Sequence, residues 1–146
     1  MKAILIISAL VLTAACSSST PTSPSQQPAQ GINVAGTWRG AYASAQIGYG
    51  RATLSLSQTS LSVSGNWSTT PDPGGGSGVG AGTVSGTLTS PVGGSSQQAT
   101  FTFTPSDPRN CPFQFTGTAS PTSGIFGQWV ATNCSVTASG TLTLER

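Results

Sequence analysis

The stretch FTGTASPTSGIFGQW, from Phe115 to Trp129, contains the pattern that decides the fold of this chain. Two runs in which apolar or small residues alternate with others flank the turn-forming letters SPTSG. Such alternation predicts strands, and two strands around a short turn predict an antiparallel hairpin. Pairing Gly117 with Gly127 places Phe115 opposite Trp129, so both side chains point to the same face.

The motif at the centre of each strand recurs along the chain: an apolar or small residue, any residue, glycine, any residue, and an apolar or small residue. Its occurrences are VAGTW, VSGNW, VSGTL, FTGTA, IFGQW and ASGTL, with the glycines Gly36, Gly65, Gly86, Gly117, Gly127 and Gly140. Because side chains alternate across a strand, we expect these glycines on the inner face. Glycine inside a strand allows a sharp bend or a close approach of neighbouring backbone, so the motif predicts strong sheet curvature.

The same alternation continues from Val34 to the end of the chain, interrupted by clusters of Gly, Pro, Asn or Asp. We expect strands at residues 34–43, 51–57, 61–69, 81–89, 98–104, 113–119, 124–132 and 135–144. Short sequential strands with strong curvature favour an all-β fold, a small antiparallel up-and-down β-barrel, because closure leaves no exposed edge. A β-sandwich is the alternative architecture.

The apolar residues of these strands predict the interior. They are Trp38, Leu54, Leu56, Leu61, Val63, Trp67, Val84, Leu88, Phe101, Phe103, Phe113, Phe115, Ile125, Trp129, Val136, Leu142 and Leu144. The interior of an eight-stranded barrel is either filled by side chains or holds one small ligand. The candidates for core or ligand lining are the aromatic residues Trp38, Trp67, Phe101, Phe103, Phe115 and Trp129. Packing is the simpler interpretation, whereas a cavity of at least about 300 Å³ with one open end would favour a ligand.

The N-terminal segment predicts export. Lys2 precedes the apolar run Ala3–Leu12, whose ten residues are too few to cross a bilayer, which takes about 20. The following letters TAAC, ending at Cys16, resemble the lipobox of bacterial lipoproteins. Thr13 departs from the family, which prefers Leu at that position. The resemblance implies that residues 1–15 are a lipoprotein signal peptide and that Cys16 is acylated.

Residues 17–31 contain no apolar residue larger than alanine and are rich in Ser, Pro and Gln, a composition that cannot order itself by burial. We therefore expect a signal peptide at 1–15, an acylated, disordered tether at 16–31 and a single barrel domain at 32–146. In the lipoproteins that it resembles, a residue other than aspartate after the cysteine implies delivery to the outer membrane, and here that residue is Ser17. The expected location is the cell envelope, lipid-anchored in the outer membrane, on a face that the sequence leaves open.

The three cysteines of an exported chain leave one without a disulfide partner. Acylation of Cys16 accounts for it, and Cys111 and Cys134 are then expected to form a disulfide in an oxidising compartment. The chain has no histidine, so two cysteines cannot complete a tetrahedral site, and we expect no metal and no cofactor.

Charge is sparse, with five Lys and Arg against three Asp and Glu. These few scattered basic residues cannot neutralise a phosphate backbone, so we expect no nucleic-acid partner. Without histidine the usual activators of a nucleophile are missing, and we expect a protein that is not an enzyme.

The motif VAGTW, with Gly36 and Trp38, and the arginine that follows LTLE at the chain end resemble the lipocalin and avidin group of barrels. In that group a tryptophan after a glycine on the first strand closes one end and is often covered by an arginine from the last strand. The resemblance implies these roles for Gly36, Trp38 and Arg146, and a small apolar ligand inside the barrel. A lipidated barrel with one disulfide also resembles bacterial protease-inhibitor lipoproteins of the small-barrel type.

The first expectation for function is a membrane-anchored envelope lipoprotein, held through Cys16, whose non-catalytic barrel has a structural or protein-interaction role. The tether and the absence of catalytic residue types favour it. The alternative is lipocalin-like binding of a small apolar ligand, and a further alternative is protease inhibition.

Overall fold

The computed structural model describes residues 31–76, 80–89, 95–132, 134 and 137–146. These residues form the strands β1 (Gly36–Ser44), β2 (Gly48–Thr59), β3 (Ser62–Pro71), β4 (Gly80–Leu88), β5 (Gln97–Pro105), β6 (Phe113–Ser120), β7 (Gly124–Ala131) and β8 (Ser139–Glu145). Each strand pairs antiparallel with the next, and β8 pairs with β1, so the sheet closes. The predicted up-and-down β-barrel is confirmed, and the β-sandwich alternative is wrong.

The hairpin of β6 and β7 has the register predicted from the sequence. Gly117 lies opposite Gly127, and Phe115 lies opposite Trp129, on either side of the turn at 121–123. The largest difference from the predicted bounds is in β8, which begins at Ser139 rather than at residue 135. The chain between β7 and β8 instead forms a connection that carries Cys134.

The inward glycines allow neighbouring strands to approach closely. A Cβ would overlap the backbone of the adjacent strand at Gly40, Gly65, Gly82, Gly86, Gly117, Gly127 and Gly140. This explains the curvature that closes the barrel. Gly36 was predicted among these buried positions, and that prediction is wrong, because Gly36 is the exposed first residue of β1 and has open space around it. Its φ of 126° is a conformation that other residues rarely adopt.

The interior is apolar and follows the predicted face of each strand. Its largest fully buried side chains are Trp38, Phe101, Phe103, Phe115, Leu54, Ile125, Leu144, Val34 and Val84. Leu61 and Phe113 were predicted inside but are half-buried, because they lie at the ends of the barrel, where they pack against the core. Val136 lies outside the described residues. Ile32 and Val34, which precede β1, are buried and were not among the predicted interior residues.

The two ends of the barrel carry different connections. The segment 31–35, the turns at 60–61 and 121–123, and Arg146 lie at one end, which we call the closed end. The connections β1–β2, β3–β4, β5–β6 and β7–β8 lie at the other, which we call the open end. The packing of side chains inside the barrel also differs between these two ends.

Candidate functional site

The segment 31–35, which precedes β1, covers the closed end. Val34 is fully buried, and Trp38 Nε1 donates a hydrogen bond to the Val34 carbonyl oxygen at 2.7 Å. Gln58 on β2 holds the same segment: its Oε1 accepts from the Val34 N–H at 2.7 Å, and its Nε2 donates to the Ile32 carbonyl oxygen at 3.0 Å. These bonds supply partners to backbone groups that no strand pairs, so the segment forms a fixed plug.

Arg146 covers this plug from outside. Its Cζ lies 4.8 Å from the centroid of the Trp38 ring, within the range of a cation–π contact. Its Nη2 also donates to the carbonyl oxygens of Asn33 at 2.7 Å and Ala35 at 3.0 Å. The contact between Trp38 and Arg146 that the barrel resemblance implied is therefore present.

The open end contains a cavity of about 320 Å³. Inward side chains from the adjoining halves of the strands line it, and Ile47, Cys111 and Ala138 border it from three connections. The barrel is therefore filled in its closed half and hollow in its open half.

The aromatic candidates from the sequence divide between these halves. Trp67, Phe103 and Trp129 line the cavity. The other three, Trp38, Phe101 and Phe115, are at most 1% exposed and lie outside the lining. Alternation predicts the face on which a side chain lies but not its level along the barrel axis, so the pattern alone could not separate the two groups.

Four aromatic rings form one side of the cavity, and we call Trp67, Phe103, Phe113 and Trp129 the aromatic wall. Phe103 and Phe113 are stacked, with their centroids 4.6 Å apart. Trp67 meets both rings edge to face, at 5.9 Å from Phe103 and 5.2 Å from Phe113. Phe113 and Trp129 lie 5.5 Å apart in a tilted arrangement. Such offset and edge-to-face contacts fix the rings beyond what burial alone provides.

Small residues create the space beside the aromatic wall. Ala52, Ala131 and Ala138 line the cavity with methyl groups only. Gly80 makes room for Trp67, because a Cβ there would lie 2.8 Å from the indole Cη2. These small residues were not among the residues predicted to line a cavity. The sequence feature that could have identified them is the occurrence of small residues at inward positions near one end of several strands.

The described lining of the cavity contains no Lys, Arg, Asp, Glu or His. Tyr42 is its one hydroxyl-bearing aromatic residue. Burial, and secondly the negative charge of Asp72, raises the pKa of Tyr42 above its ordinary value of 10.0. Asp72 itself pairs with Arg51, with 3.6 Å between Oδ1 and Nε. The cavity surface formed by the described residues is therefore neutral at physiological pH.

Two buried side chains of the described barrel carry polar atoms without a hydrogen-bond partner. Within the described part of the chain, the buried side-chain N and O atoms without a hydrogen bond are Trp67 Nε1 and the two amide atoms of Gln97. Gln97 begins β5 at the closed end, whereas Trp67 lines the cavity. A buried donor without an acceptor costs about 1–3 kcal/mol, so the Trp67 N–H calls for an explanation.

Cys111 and Cys134 form the predicted disulfide, with their Cα atoms 5.9 Å apart. Cys111 lies in the β5–β6 connection and lines the cavity, and Cys134 lies in the β7–β8 connection. Next to the bridge, the Thr132 N–H donates to the Pro112 carbonyl oxygen at 2.8 Å. The two connections are thus joined beside the cavity mouth. Cys16 lies outside the described residues, as do the signal peptide and the tether up to residue 30, so these stay predictions.

No protein-family model matches this chain, and no curated protein or solved structure matches it significantly. Across the described ranges, no group of three or more His, Cys, Asp or Glu residues could hold a metal ion. The same residues contain no helix that is long and apolar enough to cross a membrane.

Proposed function

We propose that the barrel is a non-catalytic binding module that holds one small, mainly apolar ligand in the cavity at its open end. The observation that carries this proposal is the 320 Å³ cavity with a neutral, largely apolar lining that includes five aromatic side chains. Ligand sites are typically concave, mostly apolar and largely preformed, with volumes from about 300 Å³ upward. A structural or protein-interaction role and protease inhibition stay predictions from the sequence.

The surroundings of the cavity support a preformed site. The stacked and edge-to-face contacts of the aromatic wall hold its rings in place, and the filled closed half gives the cavity a fixed floor. The disulfide between Cys111 and Cys134 restrains two connections at the mouth. A preformed site loses little conformational freedom on binding, which favours affinity.

The three tryptophans allow a direct test, because Trp67 and Trp129 line the cavity and Trp38 lies at the closed end. The protein is labelled with 5-fluorotryptophan and titrated with two apolar bicyclic probes, naphthalene and trans-decalin. We expect saturable changes in the ¹⁹F resonances of Trp67 and Trp129 for at least one probe, with the Trp38 resonance unchanged. No saturable change with either probe, or equal changes at all three positions, would contradict the proposal.

A pair of leucine substitutions provides the matched control. Ala52→Leu adds a side chain inside the cavity, whereas Ala41→Leu adds the same side chain on the exposed outer face of β1. We expect Ala52→Leu to weaken probe binding at least tenfold by occupying the space, and Ala41→Leu to leave it unchanged. Equal affinities in both variants would place the probe elsewhere.

Attachment to the outer membrane through acylated Cys16 is a second part of the proposal, supported by the resemblance of residues 1–16 to lipoprotein signals. Two or more acyl chains on that residue would give stable anchoring, whereas a single chain holds a protein only marginally. Mass spectrometry of the mature amino terminus tests this part independently. An unmodified Cys16, or cleavage at another position, would overturn it.

A further inference from the structure

The charged side chains of the strands all lie on one part of the outer barrel wall. They are Arg39 on β1, Arg51 on β2 and Glu145 on β8, whereas β3 to β7 contain no Lys, Arg, Asp or Glu. Because β8, β1 and β2 are neighbours in the sheet, these three exposed residues form one cluster. Charges on such a surface determine which partner it accepts and in which register.

The charges of this cluster balance. Arg51 pairs with Asp72 from the β3–β4 connection. Arg39 and Glu145 lie opposite each other on β1 and β8, yet neither has an ion pair or a side-chain hydrogen bond within the described chain. The four groups carry two charges of each sign, so two copies of this surface do not repel each other. The unpaired Arg39 of one copy complements the unpaired Glu145 of another.

Two exposed aromatic residues flank the cluster. Tyr49 on β2 is 50% exposed, and Phe126 on β7 is 45% exposed. The strand register places outward side chains of β2, β1, β8 and β7 in transverse rows. One row is Arg51, Ala41, Thr143 and Phe126, and the next is Tyr49, Ala43, Thr141 and Gln128. We call these two rows, together with the row of Arg39 and Glu145, the four-strand face.

The four-strand face has small side chains in its middle and large ones at its edges. Ala41 and Ala43 on β1, and Thr141 and Thr143 on β8, occupy the middle. A depression of the surface lies around Ala41. Because a barrel wall curves away on either side, the middle of one wall meets another wall first. Small central residues and long flanking residues therefore allow contact across all four strands.

We propose that the four-strand face binds a second copy of this chain through a two-fold axis parallel to the strands, between β1 and β8. Rotation about this axis exchanges the two halves of every row. Arg39 then pairs with the partner's Glu145, and the Arg51 guanidinium lies over the ring of the partner's Phe126 in a cation–π contact. Symmetry makes each contact occur twice. This inference does not depend on the ligand cavity, which lies inside the wall.

The same operation at other positions on the wall produces no such complementarity. An axis between β4 and β5, for example, would bring together the outward residues of β3 to β6, which are uncharged and mostly Ser and Thr. Such a surface contains neither ion pairs nor an exposed aromatic ring. The charges and the aromatic flanks therefore favour the four-strand face.

The size of the face indicates a weak dimer. Three rows on four strands cover about 400 Å² per copy, roughly half of the area that a stable interface buries on each partner. Exposed ion pairs add little affinity in water. We expect a dissociation constant between about 0.1 and 1 mM, so the protein is a monomer at the micromolar concentrations used to measure unfolding.

Charge reversal tests the ion pair. Sedimentation equilibrium of the purified protein is measured up to about 1 mM at low salt, where a dimer of this affinity is populated. Arg39→Glu and Glu145→Arg should each weaken dimerisation at least tenfold, because both symmetric contacts become repulsive. The double variant should restore it. Thr102→Glu, on the uncharged outer face of β5, is the matched control and should leave it unchanged.

A mixture of the two single variants tests the symmetry. Arg39→Glu and Glu145→Arg should associate with each other although neither dimerises alone, because both contacts between them are attractive. Failure of the mixture and of the double variant to associate would overturn the proposed axis. A monomer at about 1 mM, or a dimer with equal affinity in all variants, would overturn the interface itself.

The aromatic flank provides a test that changes no charge. Phe126→Ala should weaken the dimer roughly five- to tenfold through loss of two cation–π contacts. Val130→Ala, an exposed apolar residue of the same strand outside the three rows, should have no effect. Equal effects of the two would contradict the contact with Arg51. If a charge variant does not fold, the salt dependence of the unmodified protein replaces it: about 0.5 M salt should weaken the dimer, and an unchanged affinity would overturn the role of the ion pair.

Discussion

Cys111 and Cys134 join the β5–β6 and β7–β8 connections, and Cys111 itself lines the cavity. The bridge spans 23 residues of sequence and so restricts the unfolded chain as well as the mouth of the site. Replacing both cysteines by alanine should lower the free energy of unfolding by about 3 kcal/mol, the value that chain entropy gives for a loop of this length. Urea unfolding measures this change.

The same double variant should bind apolar probes several-fold more weakly, because the connections beside the mouth are no longer joined. The measurement is the dissociation constant of naphthalene at a temperature where both proteins are folded. An unchanged affinity would show that the bridge stabilises the barrel without shaping the site.

Arg146 should stabilise the closed end through its two carbonyl contacts and its position over Trp38. We expect Arg146→Ala to lower the free energy of unfolding by about 2 kcal/mol, from lost hydrogen bonds and a lost cation–π contact. Arg146→Lys should retain only part of this stability, because an ammonium lacks the planar guanidinium fork that reaches two carbonyls. Arg39→Ala, on the exposed outer face of β1, is the control and should change stability by less than about 0.5 kcal/mol. Equal effects of Arg146→Ala and Arg39→Ala would contradict this role.

Gly117 should tolerate no side chain. A Cβ there would lie 2.7 Å from the Gly127 Cα and 2.6 Å from the Phe115 ring, so the paired strands would have to separate. We expect Gly117→Ala to destabilise the barrel by about 3 kcal/mol, the upper part of the range for overpacking. Thr116→Ala, on the exposed face of the same strand, should cost less than about 1 kcal/mol. Thermal unfolding of both variants distinguishes the two cases.

Ionisation of Tyr42 should make the free energy of unfolding depend on pH in the alkaline range. Its pKa is raised in the folded state, so the folded protein holds this proton more tightly than the unfolded chain does. The stabilising contribution of the Tyr42 proton is fully present below the ordinary pKa of about 10, and it is lost as the pH rises through the pKa of the folded state. We expect the free energy of unfolding to decline above pH 10, and less steeply in Tyr42→Phe. Parallel declines in both proteins, measured by urea unfolding between pH 8 and 11, would assign the effect to another group.

Most of the fold could be predicted from alternation and glycine spacing. The pairing of Phe115 with Trp129 follows from the inward glycines, because a shift of one residue would turn every apolar side chain outward. The plug could not be predicted in this way. Ile32 and Val34 precede the regular strands, and their burial depends on hydrogen bonds to Gln58, which is distant in sequence.

The candidate site was predictable only in part. Trp67 and Phe103 were identified as inward aromatic residues, but neither alternation nor composition gives their height in the barrel. Whether a cavity forms beside these rings depends on the size of the side chains around them. Ala52 and Ala138 leave space there, and this follows from three-dimensional arrangement rather than from the pattern of either strand.

The plug also marks the end of the barrel at which the chain enters it. The chain reaches β1 through the segment 31–35, at the end opposite to the cavity mouth. The preceding chain therefore joins the described residues at the base of the barrel, on the side away from the mouth.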